Sequence, residues 1–295
     1  MKRFILSHKY KKSESSGGSG SGSVSDLVSL GILTKQISEF SNSDIGTTVL
    51  IPYTDSSSKI LLSGGCIEFE VVGVNHHTTT EYPKTITLMT KNIIRYAAFD
   101  AKEPNNTDST RQTNGNNRWS VSNIRQWLNS DGAAGKWWAR PDENDKDEAP
   151  TEDKVVESSV SENSYPAGAY ADAPGFLAGF SNDVLQHLTV IPNVTLKPDK
   201  DGGGLETTYD KVFLPSYTEI GFGKFYRKDP EGTQLSKFGD DASRKKKCSD
   251  TEGYWLRSPI YVDTGSVYMV DAWGEKFNTR ANLGINGITP IIVLH

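Results

Sequence analysis

From Ile45 onward the chain is built of short apolar runs, alternating or clustered, set between turn residues. That is the pattern of half-buried and fully buried strands. Residues 47–51, 67–74 and 85–89 carry it in the first third. Residues 211–215, 254–259, 266–271 and 287–294 carry it in the last. Ala272, Trp273 and Gly274 mark a hairpin turn after the 266–271 run.

Two segments between these blocks change to the helical period. In the first, Val121, Ile124, Trp127 and Leu128 share a face behind Ser120 as N-cap, with Asp131 and Gly132 as the stop. The second starts at Ser181 and turns Val184, Leu185 and Leu188 inward. Strands, two helices, then strands predict an α+β domain over 45–295 whose terminal strand closes the sheet. No period of 20 to 50 residues appears, which disfavours a solenoid or propeller.

Upstream, Leu30, Leu33, Ile37 and Phe40 recur at spacings of 3, 4 and 3 within a connecting segment 26–44. That spacing fits a short oligomerising helix, giving a homo-oligomer, or a strap packed on its own domain; Gly31 weakens the helix. Residues 1–25 form a basic arm and a Gly/Ser linker. Lys2, Arg3, Lys9, Lys11 and Lys12 are its cations, with Phe4 among them. The tract 13–25 spans about 20 Å as a flexible chain. Its short apolar stretch, 4–6, is too brief for a secretory signal, so none is expected.

Composition narrows the function classes. A 35% apolar fraction with 27 glycines and 13 prolines supports a packed core threaded by turns. The balance of 32 Lys+Arg against 37 Asp+Glu, net −5, lacks the footprint of a nucleic-acid coat. No apolar run is long enough to cross a bilayer. Two cysteines, Cys66 and Cys248, exclude a disulfide scaffold and leave two thiols or one bridge. Residues 141–162 hold nine acids and two lysines and read as a solvated insertion.

Several signposts stand in a fixed order: Asn117 to Asn129; Phe176 to Phe180; Asp210 to Leu214; Tyr254 to Pro259; and Gly287 to Pro290. Over roughly 45–295 the chain thereby resembles the C-type-lectin-like domains of phage and prophage structural proteins and of Firmicutes surface proteins. The resemblance implies a C-type-lectin-like α+β fold with two helices, small antiparallel sheets and long loops, behind a flexible N-terminal arm. It also implies kinship with variable receptor-binding proteins and, more distantly, with formylglycine-generating enzymes. Members of the family end in Gly-(Val/Ile)-Arg-Pro. Thr289 stands in place of that arginine, so any salt bridge made there is lost.

The same residues have a structural reading. Trp119, Trp127, Trp255 and Leu256 are core candidates worth roughly 1.5 to 3 kcal/mol each on burial. Arg125 and Arg257 are forked partners for carboxylates. Glu103, Pro104 and Asn105 spell a calcium tripeptide of sugar-binding lectins, but out of place, before the first helix. Residues 199–204 lack the distal Glu of a calcium loop and read as a turn. His76 and His77, adjacent, point to opposite faces of a strand and are poorly placed to share a metal. The run Arg244 to Lys247 reads as a wet loop or a docking patch for an acidic partner.

No catalytic residue, metal or cofactor is assigned. The expected function is non-enzymatic: a phage virion accessory protein on the virion surface, assembled in the bacterial cytoplasm. Its arm joins other virion proteins of capsid or tail, and its head binds a host cell-surface glycan or protein. Neither nucleic acid nor membrane insertion is expected. The candidate ligand-binding loop residues are Tyr261, Asp263, Trp273, Asn278, Arg280, Asn282 and Asn286, exposed aromatics and amides of the kind that bind polar surfaces. The alternatives are a decoration protein without receptor and an enzyme of formylglycine-generating-like fold.

Overall fold

The computed structural model describes residues 26–58, 60–134, 173–224, 229–246 and 253–295. The basic arm, the acidic segment 141–162, Lys247 and Cys248 lie outside them. Three strands occupy the first apolar runs: β1 (Thr48–Pro52), β2 (Cys66–Val74) and β3 (Ile86–Thr90), followed by the two-residue β4 (Arg95–Tyr96). Three short helices come next, α1 (Ser109–Asn114), α2 (Asn123–Leu128) and α3 (Asn182–Leu185). The hairpin β5 (Ile191–Leu196) and β6 (Leu205–Asp210) precedes β7 (Val212–Phe213) and α4 (Asp241–Arg244). The chain closes with β8 (Tyr254–Pro259), β9 (Ser266–Val270), β10 (Lys276–Arg280), β11 (Gly287–Ile288) and β12 (Ile291–Leu294).

These elements make a mixed α+β architecture of two five-stranded sheets and the β5–β6 ribbon. The first sheet runs β1-β2-β3-β12-β7 and the second β10-β9-β8-β11-β4. The run 287–294, expected as one strand, is two. Pro290 has no N–H to give a ladder, so the chain changes sheet there. β11 pairs with β4 and β8, while β12 enters the first sheet between β3 and β7. The terminal strand is therefore an inner strand and not an edge.

One apolar core joins both sheets, with Trp119, Trp127, Trp255 and Leu256 each buried. The indole N–H groups donate to Asp210, to the Pro174 carbonyl and to the Ala97 carbonyl, respectively. Each ring thus satisfies its one polar atom while burying its bulk. Tyr53 stacks on Phe176 at 5.2 Å, meets Phe180 edge-on at 5.0 Å and donates its hydroxyl to the Phe176 carbonyl.

The segment 26–44 packs as a strap on its own domain and forms no continuous helix. Leu27, Leu33 and Phe40 are buried in the main core. Its first turn stops where Gly31 takes a left-handed φ of 71°. There Gly31 N–H bonds the Val28 carbonyl and Ile32 N–H the Leu27 carbonyl, the paired bonds of a Schellman ending. The helix expected behind Ser120 begins later, with Ser122 as its cap. Trp119–Val121 form a tighter turn instead, because the buried Asp100 carboxylate takes the Asn123 N–H and the Ser122 hydroxyl reaches back to the Trp119 carbonyl. α2 ends at Leu128, before Asp131 and Gly132, because Asn129 spends its amide on the Arg125 and Val212 carbonyls. Ser181 caps α3 as expected.

Gly179 sits against the Tyr53 ring, which a Cβ at that position would overlap. Gly179→Ala is therefore expected to cost about 1–3 kcal/mol by overpacking. Chemical denaturation should show an earlier midpoint with an unchanged slope; an unaltered midpoint would mean the ring moves freely.

Candidate functional site

The seven loop residues do not form one site. The turn between β8 and β9 and the turn between β9 and β10 lie at opposite ends of β9, whose five residues span about 15 Å. Tyr261 and Asp263 belong to the first turn and Trp273 to the second, while Asn278 and Arg280 lie on β10.

Three of the seven are structural. Asn282 is fully buried, donating its amide to the Thr113 carbonyl and its N–H to the Asn114 carbonyl. Asn286 is buried beside β4, where its backbone carbonyl accepts the Ala97 N–H; its side-chain amide nitrogen has no hydrogen-bond partner among the described residues. The Asp263 carboxylate closes its own turn by accepting the Gly265 and Ser266 N–H groups. Small polar side chains in a turn-rich stretch look alike in sequence whether they face water or bond the backbone. Tyr261 is half-buried, and its carbonyl accepts the Asp199 N–H from the β5–β6 ribbon.

The remaining three define an exposed edge. Trp273 is 68% exposed, and Asn278 and Arg280 are also exposed. Two neighbours extend it on opposite faces of β10: Phe277, 59% exposed, and Lys276, whose ammonium lies 5.8 Å from the Tyr217 ring. Sequence reasoning missed both because β10 has no period-2 burial pattern; it is an edge strand, with its apolar residue outward.

The hairpin carrying this edge is held firmly. Asp271 accepts both the Trp273 and Glu275 N–H groups on one carboxylate oxygen, at 2.9 Å each. Gly274, at φ 88°, packs so close to the Asp241 backbone that a Cβ would collide with it. At the far end, Asn117 donates its side-chain amide to the carbonyls of Ile260, Asp263 and Ser266, at 3.0, 2.8 and 2.9 Å. Backbone bonds at Asp271–Glu275 and Ala281–Gly265 set the phase of the β9–β10 ladder. By alternation, the N–H groups of Lys276, Asn278 and Arg280 point to the free edge.

Behind the hairpin lies a buried ionic cluster. Arg257 on β8 grips Glu219 with two bonds of 2.6 and 2.8 Å and donates a further bond to the Leu214 carbonyl. His77 approaches Glu219 at 3.3 Å and Thr87 at 3.1 Å. Burial opposes the charge on Glu219, but Arg257 and His77 outweigh it and hold the carboxyl well below the usual range. Glu231, also buried, meets the Ser258 hydroxyl and the Leu196 N–H; burial dominates there and raises its pKa. Arg125, the other forked candidate, pairs with Asp210 at 2.7 Å. Thr289 is buried, and its hydroxyl has no hydrogen-bond partner among the described residues.

His76 and His77 do not point to opposite faces. Asn75, at φ 51°, turns the chain after β2 and brings their rings to 4.6 Å. Among the described residues no group of three His, Cys, Asp or Glu side chains is placed to hold a metal. Glu103 is buried and accepts the Asn106 side-chain amide at 2.5 Å. The turn 199–204 closes the β5–β6 ribbon, and its Asp201 pairs with Arg111 at 2.5 Å. The basic run is split. Arg244 is buried on the Ile220 carbonyl, and Lys246 is buried 4.0 Å from Glu70, where burial lowers its pKa to about 8. Half-buried Cys66 has its thiol pKa raised by burial.

Away from the hairpin, two clefts of about 420 and 550 Å3 meet at His295. Tyr82 stacks on the His295 ring at 3.6 Å, and Thr189 bonds its Nδ1 at 3.0 Å. Burial and nearby His187 hold the His295 imidazole below its ordinary pKa, with Glu81 acting the other way.

A family model described as "Domain of unknown function (DUF6273)" matches residues 84–295. No curated protein and no solved structure matches the chain. The family match starts at the entry to β3, so β1 and β2 complete the first sheet from outside it.

The two buried glutamates titrate with opposite sign. The Glu231 contribution is complete below its ordinary value of 4.5 and is lost as pH rises through the raised folded value. The Glu219 contribution is present above 4.5 and is lost as pH falls through its depressed folded value. Urea unfolding across pH should therefore show that Glu231→Gln removes a decline in stability above pH 4.5 and costs about 1 kcal/mol. Glu219→Gln should cost about 3–5 kcal/mol at neutral pH by leaving Arg257 uncompensated.

Proposed function

The chain belongs to the DUF6273 family, and from that premise we propose that it is a non-enzymatic display protein. Its rigid head offers the β9–β10 hairpin to a host-surface glycan or protein. The basic arm, 1–25, fixes the head to a larger assembly, which the resemblance to phage and prophage structural proteins implies is a phage virion. The carrying observation is the exposure of Trp273 and Phe277, at 68% and 59%, on a hairpin pinned at both ends. Large aromatics on a rigid support combine contact area with little ordering cost, while Lys276, Asn278 and Arg280 lie on the face of β10 opposite Phe277.

The C-type-lectin-like reading of the fold belongs to the same proposal. It is supported by the terminal strand entering the first sheet, the short helices, and the β8-β9-β10 meander joined by ordered turns. A non-catalytic role is supported by the fate of the strongest titratable groups. Glu219, Arg257, Glu231 and Asp210 are buried and bonded to one another's surroundings, so they hold the core together. The free edge of β10 favours one second reading, a decoration protein whose contacts are with other virion proteins.

Incubating the full chain with bacterial host cells and purified envelope glycans separates the two. Receptor display predicts saturable adsorption that drops at least about ten-fold in Trp273→Ser/Phe277→Ser while the unfolding midpoint stays put. Adsorption equal in the variant, or absent in the native chain, contradicts it. Deleting residues 1–25 is expected to leave adsorption intact and abolish incorporation into particles.

A further inference from the structure

The clefts that meet at His295 lie on the first sheet, away from the β9–β10 edge, and the display reading makes no use of them. We propose that they form a second binding site, for a neutral, hydroxyl-rich small molecule of the size of one sugar ring. Their volumes, about 420 and 550 Å3, fall within the range of small-molecule sites.

Charge selects the ligand class. The larger cleft holds one acid and one base, Glu81 and Lys211, and the smaller holds Asp26 and Lys84. Neither sign prevails, and His295 between them is held toward its neutral form by burial and by His187. Among these side chains a charged ligand would meet as much repulsion as attraction, whereas a neutral one forgoes no charge pairing and bears only its own desolvation.

Hydrogen-bonding capacity points the same way. Thr79, Thr80, Gln186 and Thr189 line the larger cleft beside Glu81 and Lys211. This set both donates and accepts, which matches hydroxyl groups, themselves both donors and acceptors. Gln186 is exposed, and among the described residues its amide makes one bond, of 3.4 Å, to the Asp183 carbonyl.

An apolar platform completes the site. Tyr82, stacked on His295, stands beside Leu185 and Val190, and Val190 is 44% exposed within this cleft. An aromatic ring with a neighbouring aliphatic surface covers the C–H face of a sugar ring while the polar rim reads its hydroxyls. The smaller cleft is walled by the strap through Leu27, Leu33 and Ile37, so the packed strap forms part of the site.

The test is a titration of the full chain, followed by amide NMR, with methyl glucoside, methyl galactoside and N-acetylglucosamine up to about 50 mM. Inorganic phosphate and acetate serve as charged comparators. The expected result is saturable shifts at Tyr82, Gln186, Thr189 or Lys211 with at least one sugar. Gln186→Leu and Tyr82→Ala should each weaken it roughly ten-fold, with Trp273→Ser unchanged. No saturable shift with any sugar, shifts confined to residues outside the clefts, or a response to phosphate or acetate alone would overturn the proposal. A response lost in Trp273→Ser would overturn it too, by assigning the sugar to the hairpin; loss of cell adsorption with the cleft titration intact touches only the display reading.

Discussion

The whole arrangement depends on one crossing. At Pro290 the last apolar run leaves the second sheet and enters the first, so eight residues of backbone tie both sheets into one body. Thr90 N–H bonds the Pro290 carbonyl at 3.0 Å and Ile94 N–H bonds the Ile288 carbonyl at 3.1 Å, holding the crossing against the strand that leads out of β3. A proline can make this step because a missing N–H is no loss where the ladder must break anyway. Moving β12 would part β3 from β7 in the first sheet and detach β11 from β8 at once.

Rigidity at the β9–β10 hairpin follows from that frame. β8 is held to the first half of the fold by β11 and by the Arg257–Glu219 pair; β9 hangs on β8, and β10 on β9. Two fully buried charges with complementary geometry are costly to separate, so the pair fixes where β8 sits more than it adds to stability. The hairpin can then carry two exposed aromatics, Trp273 in its turn and Phe277 on β10, without collapsing inward, since Asp271 and Asn117 set the turns at either end.

Much of the fold was legible because burial alternates or clusters in the strands that face the core. β8 matches its expected range residue for residue, and β1, β2, β3 and β9 differ by a residue or so at their ends. The tryptophans read as core are core. What failed did so for physical reasons. The β5–β6 ribbon is polar and closed by Gly202, Gly203 and Gly204, so its residues read as a loop. The strap has helical spacing, yet Gly31 ends its first turn. The loop set mixed Trp273 with Asn282 and Asn286 because residue type marks a surface binder and a buried backbone bonder alike. Which one an asparagine becomes depends on neighbours such as Thr113, far away in sequence from Asn282.

Protection of backbone amides from hydrogen exchange, compared between the free chain and the chain bound to host envelope fragments, tests the central claim most directly. The account predicts new protection concentrated between Trp273 and Arg280. Protection that leaves this hairpin untouched and appears on another face would contradict it.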